Sequence, residues 1–177
     1  MKNEMRSREI LECICKVPQH IIKLHSDGVH NSAEFLLHHL AMPTCFNLLQ
    51  AAYFVDNPDF NFLKGVAGFH AQELFIARNH WQEQERFSKH MATSSFNQKV
   101  KAVERPSLRR SEIMGEKKEL SSIAQDLGVK NPFFKQLPIK YDNIGIMIFE
   151  PVSCKEHAAV DHHLDDSLFL LGFTPLF

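Results

Sequence analysis

The chain has 177 residues, of which 44% are hydrophobic and 23% charged, and its formal net charge is −1. This length favours one domain of ordinary size with room for a sizeable core, and the hydrophobic content excludes an intrinsically disordered chain. No apolar run approaches the roughly 18 residues that span a bilayer, so we expect no membrane partner.

The four cysteines predict a reducing compartment. Cys13, Cys15, Cys45 and Cys154 form no Cys-x-x-Cys pair, and their spacing is not that of zinc ligands. The N-terminus is charged and then amphipathic, without the hydrophobic segment of a signal peptide. We therefore expect free thiols in a cytoplasmic protein rather than a disulfide framework.

The first third of the chain carries signals of short helices. Apolar residues recur at helical spacing, Gly28 is suited to a left-handed helix end, and Asn31 with Glu34 has the spacing of a capping box. These signals predict helices over 5–17, 18–26, 31–42 and 44–55, followed by a turn over 56–59.

The longest helical pattern covers residues 62–91, with no proline and with Gly65 and Gly68 near its start. On a helical wheel one broad apolar face contains Phe62, Leu63, Val66, Ala67, Phe69, Leu74, Ala77, Trp81, Phe87 and Met91. Three polar residues, His70, Glu73 and His80, fall on the same face. A carboxylate in such a position costs several kcal/mol unless it is paired or ligated.

Two interpretations satisfy Glu73. The first is a hydrogen-bonded Glu–His pair, or a position at the rim of the core that remains open to water. The second is a divalent-metal site completed by a neighbouring helix, for which His38 and His39 are the best partners. The candidate metal ligands are therefore His38, His39, His70, Glu73 and His80.

The second half of the chain reads differently. Residues 93–108 lose hydrophobic periodicity and predict a surface loop, and a helix is expected over 111–127 with Gly128 as its end. The run IGIMIF over 144–149 predicts a strand, and the run LFLLGF over 168–173 predicts a second one. The predicted fold is mainly α, with an N-terminal helical bundle over 1–96. Residues 97–177 would add a basic segment, a helix and a small α+β extension packed on that bundle. These two parts would form either two domains or a single domain.

Charge is unevenly distributed along the chain. Residues 97–141 contain ten Lys or Arg against five Asp or Glu, whereas residues 142–177 contain one against six. Clustered cations supply most non-specific affinity for nucleic acid. The candidate binding residues are Lys99, Lys101, Arg105, Arg109, Arg110, Lys117 and Lys118, with neutralisation by the acidic tail as the alternative.

Two functions from different classes remain open at this stage. The first is a non-enzymatic cytosolic adaptor or regulator that binds nucleic acid or an acidic protein through the basic segment. The second is a helical metal-binding protein with a Glu/His site in its core and redox or hydrolytic activity. A homo-oligomer formed through the C-terminal strands is also expected. No phosphate-binding loop, nucleophile elbow or His-Glu-x-x-His motif occurs in the sequence.

Overall fold

A computed structural model describes residues 2–76, 79–108, 113–158 and 161–174. Its helices are α1 (Lys2–Ile14), α2 (Val17–Ser26), α3 (Ser32–Ala41), α4 (Gln84–Thr93), α5 (Ser95–Lys101), α6 (Ile113–Leu127), α7 (Cys154–Ala158) and α8 (Asp161–Leu168). Its strands are β1 (Leu48–Asn57), β2 (Phe62–His70), β3 (Glu104–Arg105), β4 (Phe133–Pro138) and β5 (Ile144–Pro151). Short 3-10 helices span Ala71–Glu73 and Phe169–Phe173.

The centre of the molecule is one antiparallel sheet with the strand order β3-β2-β1-β5-β4. A tight hairpin joins β1 to β2, and Asn61 in its turn adopts a positive φ of 51°. On its other side β1 pairs with β5, which follows it by almost ninety residues in the chain. The sheet therefore joins segments from both sides of residue 96.

Helices cover both faces of this sheet. On β1, Tyr53 and Val55 face a core formed with α1, α2, α3, α4 and α8. The alternate residues Ala52 and Phe54 face a second core, formed with α5 and α6. Because successive side chains of a strand point to opposite faces, a strand covered on both sides is apolar throughout.

Helix α5 lies against the outer edge of β2, and two glycines make its close approach possible. A Cβ atom added to Gly65 would lie 1.8 Å from the carbonyl oxygen of Val100, and one added to Gly68 would lie 3.0 Å from the Cα of Asn97. The short strand β3 pairs only with Leu63 and Lys64, so α5 and its following turn cover the rest of this edge. Covering an edge in this way prevents unwanted strand pairing.

Asn97 connects α5 to three other elements. Its Oδ1 accepts a hydrogen bond from the Gly68 backbone N–H at 2.8 Å. Its Nδ2 donates to Glu34 Oε1 and to the Met91 carbonyl oxygen, both at 2.9 Å. Glu34 is buried and also accepts from Lys101 Nζ at 3.0 Å. Every polar group in this buried network therefore has a partner.

The prediction of a mainly α fold, with an N-terminal helical bundle and a small C-terminal α+β extension, is wrong. Residues 48–57 form β1 where a helix over 44–55 was expected, and the helix expected over 62–91 is divided into β2, a 3-10 turn and α4. The loop expected over 93–108 contains α5, and the second strand expected over 168–173 is helical.

Other predictions are confirmed. The helix over 31–42 corresponds to α3 and the strand over 144–149 to β5. The helix over 111–127 corresponds to α6 from residue 113 onward, and residues 111–112 lie outside the described part of the structure. Gly28 and Gly128 both adopt the left-handed conformation, with φ values of 74° and 81°. In the part of the chain that the structure describes, no helix combines the length and apolar composition needed to cross a bilayer.

Candidate functional site

The structure brings together three of the five predicted metal ligands. His38 and His39 lie on α3, and His80 comes from the loop before α4. The ring centroid of His80 lies 5.2 Å from that of His38 and 5.6 Å from that of His39. All three imidazoles belong to a buried aromatic cluster with Phe35 and Trp81.

His70 and Glu73 have structural roles elsewhere. His70 Nδ1 accepts a hydrogen bond from the Gln72 backbone N–H at 3.1 Å. Glu73 Oε2 accepts from the Ser94 hydroxyl and from the Phe96 backbone N–H at the start of α5. Glu73 is therefore satisfied by hydrogen bonds that cap a helix and not by ligation to a metal ion.

His38 and His80 are buried neutral imidazoles. They are 2% and 5% exposed, and the Nε2 atom of each is without a hydrogen-bond partner among the described residues. Burial is the main cause that lowers the pKa of both rings to about 3. His80 also hydrogen-bonds the backbone of Phe35. Among the residues with described positions, no three His, Cys, Asp or Glu side chains are arranged to hold a metal ion.

The chemically distinctive part of the cluster is a contact between Cys13 and His39. Cys13 lies near the end of α1, and its Sγ is 3.2 Å from His39 Nε2. The same Nε2 lies 3.0 Å from the Cys13 carbonyl oxygen, so one N–H serves both acceptors. Cys13 is only partly buried. A thiol that is both reachable and hydrogen-bonded to imidazole is the arrangement in which cysteine becomes reactive.

Trp81 determines which nitrogen of His39 carries the proton. The indole Nε1–H donates to His39 Nδ1 at 3.2 Å, so Nδ1 is an acceptor and Nε2 carries the hydrogen. Burial lowers the pKa of His39, but the hydrogen bonds and charge of Cys13 outweigh it and leave that pKa raised. The indole N–H opposes this protonation because two N–H groups cannot point at each other. The geometry therefore favours a neutral ring that donates to sulfur.

Cys45 completes the surroundings of Cys13. It follows α3 and is fully buried. The Cys45 thiol, acting as a donor, is the largest cause that lowers the pKa of Cys13 to about 5; burial opposes this shift, and His39 lowers the pKa further. The hydrogen bond with Cys13 and burial both raise the pKa of Cys45. The two shifts favour a thiolate on Cys13 and a protonated thiol on Cys45.

The basic segment is partly engaged in ion pairs within the molecule. Lys101 pairs with Glu34 at 3.0 Å, and Arg105 pairs with Asp126 at 3.3 Å. The side chains of Lys99 and Lys118 are exposed. Arg109 and Arg110, and the side chain of Lys117, lie outside the described part of the structure. The acidic tail pairs with a different cation of this region, since Asp161 and Asp165 lie 2.8 and 2.9 Å from Lys135.

Cys13, Cys45 and Trp81 are absent from the sequence-based candidates. Cys13 and Cys45 are separated by two helices and belong to no spacing motif, so no sequence pattern relates the two residues. The adjacent pair His38-His39 was a usable signal, because it predicted that α3 presents imidazoles to the core. Its partner proved to be a thiol of α1 rather than the carboxylate of Glu73.

Comparison with known proteins identifies no relative: the chain matches no protein-family model, no curated protein and no solved structure.

Proposed function

We propose that the protein acts through Cys13 as a thiolate nucleophile in thiol-based redox chemistry. The observation that carries this proposal is the 3.2 Å contact between Cys13 Sγ and His39 Nε2 at a partly exposed position. Thiolate, not thiol, is the reactive form of cysteine, and a hydrogen-bond donor beside the sulfur stabilises that form.

The position of Trp81 argues for redox chemistry rather than acyl transfer. In an acyl-transfer pair the imidazole receives the thiol proton and later gives it to the leaving group. Here the lone pair of His39 lies on Nδ1, which accepts from Trp81, and Nε2 already carries the hydrogen that faces sulfur. His39 therefore stabilises a standing thiolate but is poorly placed to shuttle its proton.

The reactivity of such a thiolate is distinguished by its pH dependence rather than by its rate near neutrality. A thiol with a pKa of about 5 is almost fully ionised at neutral pH, whereas an ordinary thiol is ionised to a few per cent. Its lower basicity also makes each thiolate roughly 40-fold less nucleophilic, from a Brønsted coefficient of about 0.45. The two factors cancel near pH 7. Near pH 6 we expect Cys13 to react roughly tenfold faster than an ordinary thiol.

The test is alkylation by iodoacetamide across this pH range in a protein with Cys15→Ser and Cys154→Ser, which removes the two exposed thiols. Modification is assigned by peptide mass spectrometry, and a cysteine-containing model peptide provides the ordinary reference. The proposal predicts that modification of Cys13 persists down to about pH 5. His39→Ala should move the midpoint upward because a donor to sulfur is lost.

A matched control is Lys99→Ala, an exposed change away from the cluster, which should leave the profile unchanged. A midpoint near that of the model peptide in the parent protein, or a profile insensitive to His39→Ala, would contradict the proposal.

Binding of nucleic acid or an acidic protein through the basic segment stays a prediction. It depends on Lys99, Lys118 and the cations outside the described residues, because Lys101 and Arg105 are already paired. Divalent-metal binding, cytoplasmic location and a homo-oligomer also stay predictions. Of the C-terminal strands that the structure describes, β4 lies at an edge of the sheet and could pair in such an oligomer.

A further inference from the structure

We infer that Cys13 controls the docking of helix α1: a mixed disulfide between Cys13 and a small-molecule disulfide loosens α1 from α3. This inference rests on the proposed function, since it needs Cys13 as the nucleophile. It adds the chemical class of the substrate, a low-molecular-weight disulfide, and a structural consequence of the reaction. Its basis is that the reacting sulfur lies at a contact between α1 and α3.

Helix α1 is attached to the rest of the molecule by few buried side chains. Among residues 5–14, whose side chains are described, Ile10 is the only fully buried one, and Cys13 and Ile14 are partly buried. A helix of 13 residues is barely stable alone in water, so α1 depends on its docking. An element with so little buried apolar surface is among the first to open locally.

Side-chain hydrogen bonds attach α1 at Arg6 and at Cys13. The Arg6 guanidinium donates to the carbonyl oxygens of Cys45 at 2.6 Å and of Pro43 at 2.9 Å, in the segment that follows α3. Two turns further along α1, the Nε2–H of His39 donates to the Cys13 carbonyl oxygen at 3.0 Å and contacts Cys13 Sγ at 3.2 Å. Cys13 is thus both the reactive residue of the site and an attachment point of α1.

The reaction is a thiol–disulfide exchange, and it balances without a further oxidant. The Cys13 thiolate attacks one sulfur of the small disulfide, a new S–S bond forms, and the old S–S bond breaks. The other half of the small disulfide leaves as a thiolate and takes a proton from solvent. Cys13 is oxidised to a mixed disulfide while the leaving half is reduced. A dithiol reductant reverses the exchange and is itself oxidised.

The product is incompatible with the present contact between Cys13 and His39. The new sulfur is bonded about 2.05 Å from Cys13 Sγ. The distance of 3.2 Å between Sγ and Nε2 leaves no space for another atom between the two groups. The mixed disulfide is also uncharged, so the His39 N–H loses an anionic acceptor. Either the Cys13 side chain turns away from His39 or α1 moves outward, and both changes weaken the docking of α1.

The fold allows this movement to be confined to α1. The chain turns at residues 15–16, and α2 begins at Val17. Three side chains of α2, Val17, Ile21 and Leu24, are buried in the core and hold this helix in place. Helix α1 is therefore able to move about the turn while α2 and the sheet keep their positions.

The experiment uses protein carrying Cys15→Ser and Cys154→Ser, called the parent here, and glutathione disulfide as the small disulfide. Intact mass and peptide mapping should show one glutathionyl group, located on Cys13. Hydrogen–deuterium exchange, followed by mass spectrometry, should then be about tenfold faster in peptides from α1 than in the unmodified parent. Peptides from β5, an inner strand of the sheet, should keep their rate. Dithiothreitol should restore the original exchange in α1.

Two arginine variants test whether the docking of α1 is what changes. Arg6→Met removes the hydrogen bonds to the segment after α3, so exchange in α1 should rise before modification and rise further after it. Arg8→Met is the matched control, because the Arg8 guanidinium pairs at 3.1 Å with Glu12 of the same helix, at the surface. We expect exchange in Arg8→Met to stay close to that of the parent, with and without glutathione on Cys13.

The outcomes separate this inference from the proposed function. Modification of Cys13 with unchanged exchange in α1, or with an equal rise in α1 and β5, would overturn the control of α1 and leave Cys13 a reactive thiolate. Alkylation of Cys13 at low pH without any reaction with the disulfide would do the same. Absence of both reactions at Cys13 would overturn both proposals. These outcomes are read in the parent, so none depends on the folding of an arginine variant.

Discussion

At the scale of single residues, the hydrogen bond from Trp81 to His39 determines what the thiol site can do. We expect Trp81→Phe to raise the pKa of His39, because the indole N–H no longer opposes a proton on Nδ1. Phenylalanine keeps an aromatic ring for the stack with His20, whose centroid lies 5.0 Å from that of Trp81. The pKa is measured by NMR titration of the His39 ring.

The comparison for this change is His20, whose resonance reports any general disturbance of the stack. A His39 pKa that stays constant or falls in Trp81→Phe would show that the indole does not control the tautomer.

The fate of Glu73 shows what residue patterns could and could not predict. The sequence argument that this carboxylate must be satisfied is confirmed by its hydrogen bonds to the start of α5. The argument that it shares a surface with His80 depended on a helix that does not exist. By contrast, His38, His39 and His80 do meet in the core, because the prediction that α3 is a helix with an inward face was correct.

At the scale of elements, α5 and β2 depend on the contacts of Asn97. We expect Asn97→Ala to lower the free energy of unfolding by about 3 kcal/mol, because it leaves buried groups on Gly68 and Glu34 with fewer partners. Chemical denaturation followed by circular dichroism measures this loss.

Gln98→Ala is the matched control on the same helix. Gln98 is exposed, and among the described residues its side chain bonds to the Ala92 carbonyl oxygen, so we expect a loss of about 0.5 kcal/mol or less. Equal losses in the two variants would mean that the buried network contributes nothing specific.

The same elements explain why the predicted fold class failed. β1 is buried on both faces, so its sequence LLQAAYFVDN has no alternation and only one β-branched residue, Val55. In β2, Gly65 and Gly68 do not begin a helix but allow α5 to approach the strand. Glycine is unfavourable in both helices and strands, so it signals a close contact and not the type of element. The sequence of β5, IGIMIFEP, contains three β-branched isoleucines, so this segment was correctly predicted to be a strand.

At the scale of the whole molecule, the buried imidazoles couple stability to pH. In the unfolded chain His38 and His80 have pKa values of about 6.5, and in the folded protein burial lowers the pKa of each to about 3. Above the unfolded value both states are neutral and stability is complete. As the pH falls below the unfolded pKa, the unfolded chain takes up protons before the folded protein does. The free energy of unfolding therefore decreases until the pH reaches the folded pKa.

This linkage predicts a slope of about 1.4 kcal/mol per pH unit for each imidazole between roughly pH 6 and pH 3. The free energy of unfolding, measured by urea titration at several pH values, should therefore fall steeply in mild acid. His38→Leu should remove one imidazole's share of the slope, whereas a change at exposed His162 should not. Identical slopes in the parent and in His38→Leu would contradict the linkage.

One sheet also connects the two halves of the chain that composition appeared to separate. β5, from beyond the basic segment, lies beside β1 in the centre, and helices of both halves cover its faces. The thiol site belongs to this arrangement, because Cys13 on α1 meets His39 on α3 only when both helices pack on the same side of the sheet. The uneven distribution of charge is therefore a property of the surface, and it does not divide the fold into two parts.

The most direct test of the thiolate is the ionisation of Cys13 itself, followed by NMR through its 13Cβ chemical shift in cysteine-labelled protein. We predict a midpoint at about pH 5, together with an upward shift of that midpoint in Cys45→Ala, since the largest stabilising hydrogen bond is then removed. A midpoint at the value of an ordinary thiol, about 8.5, would contradict the account of this site.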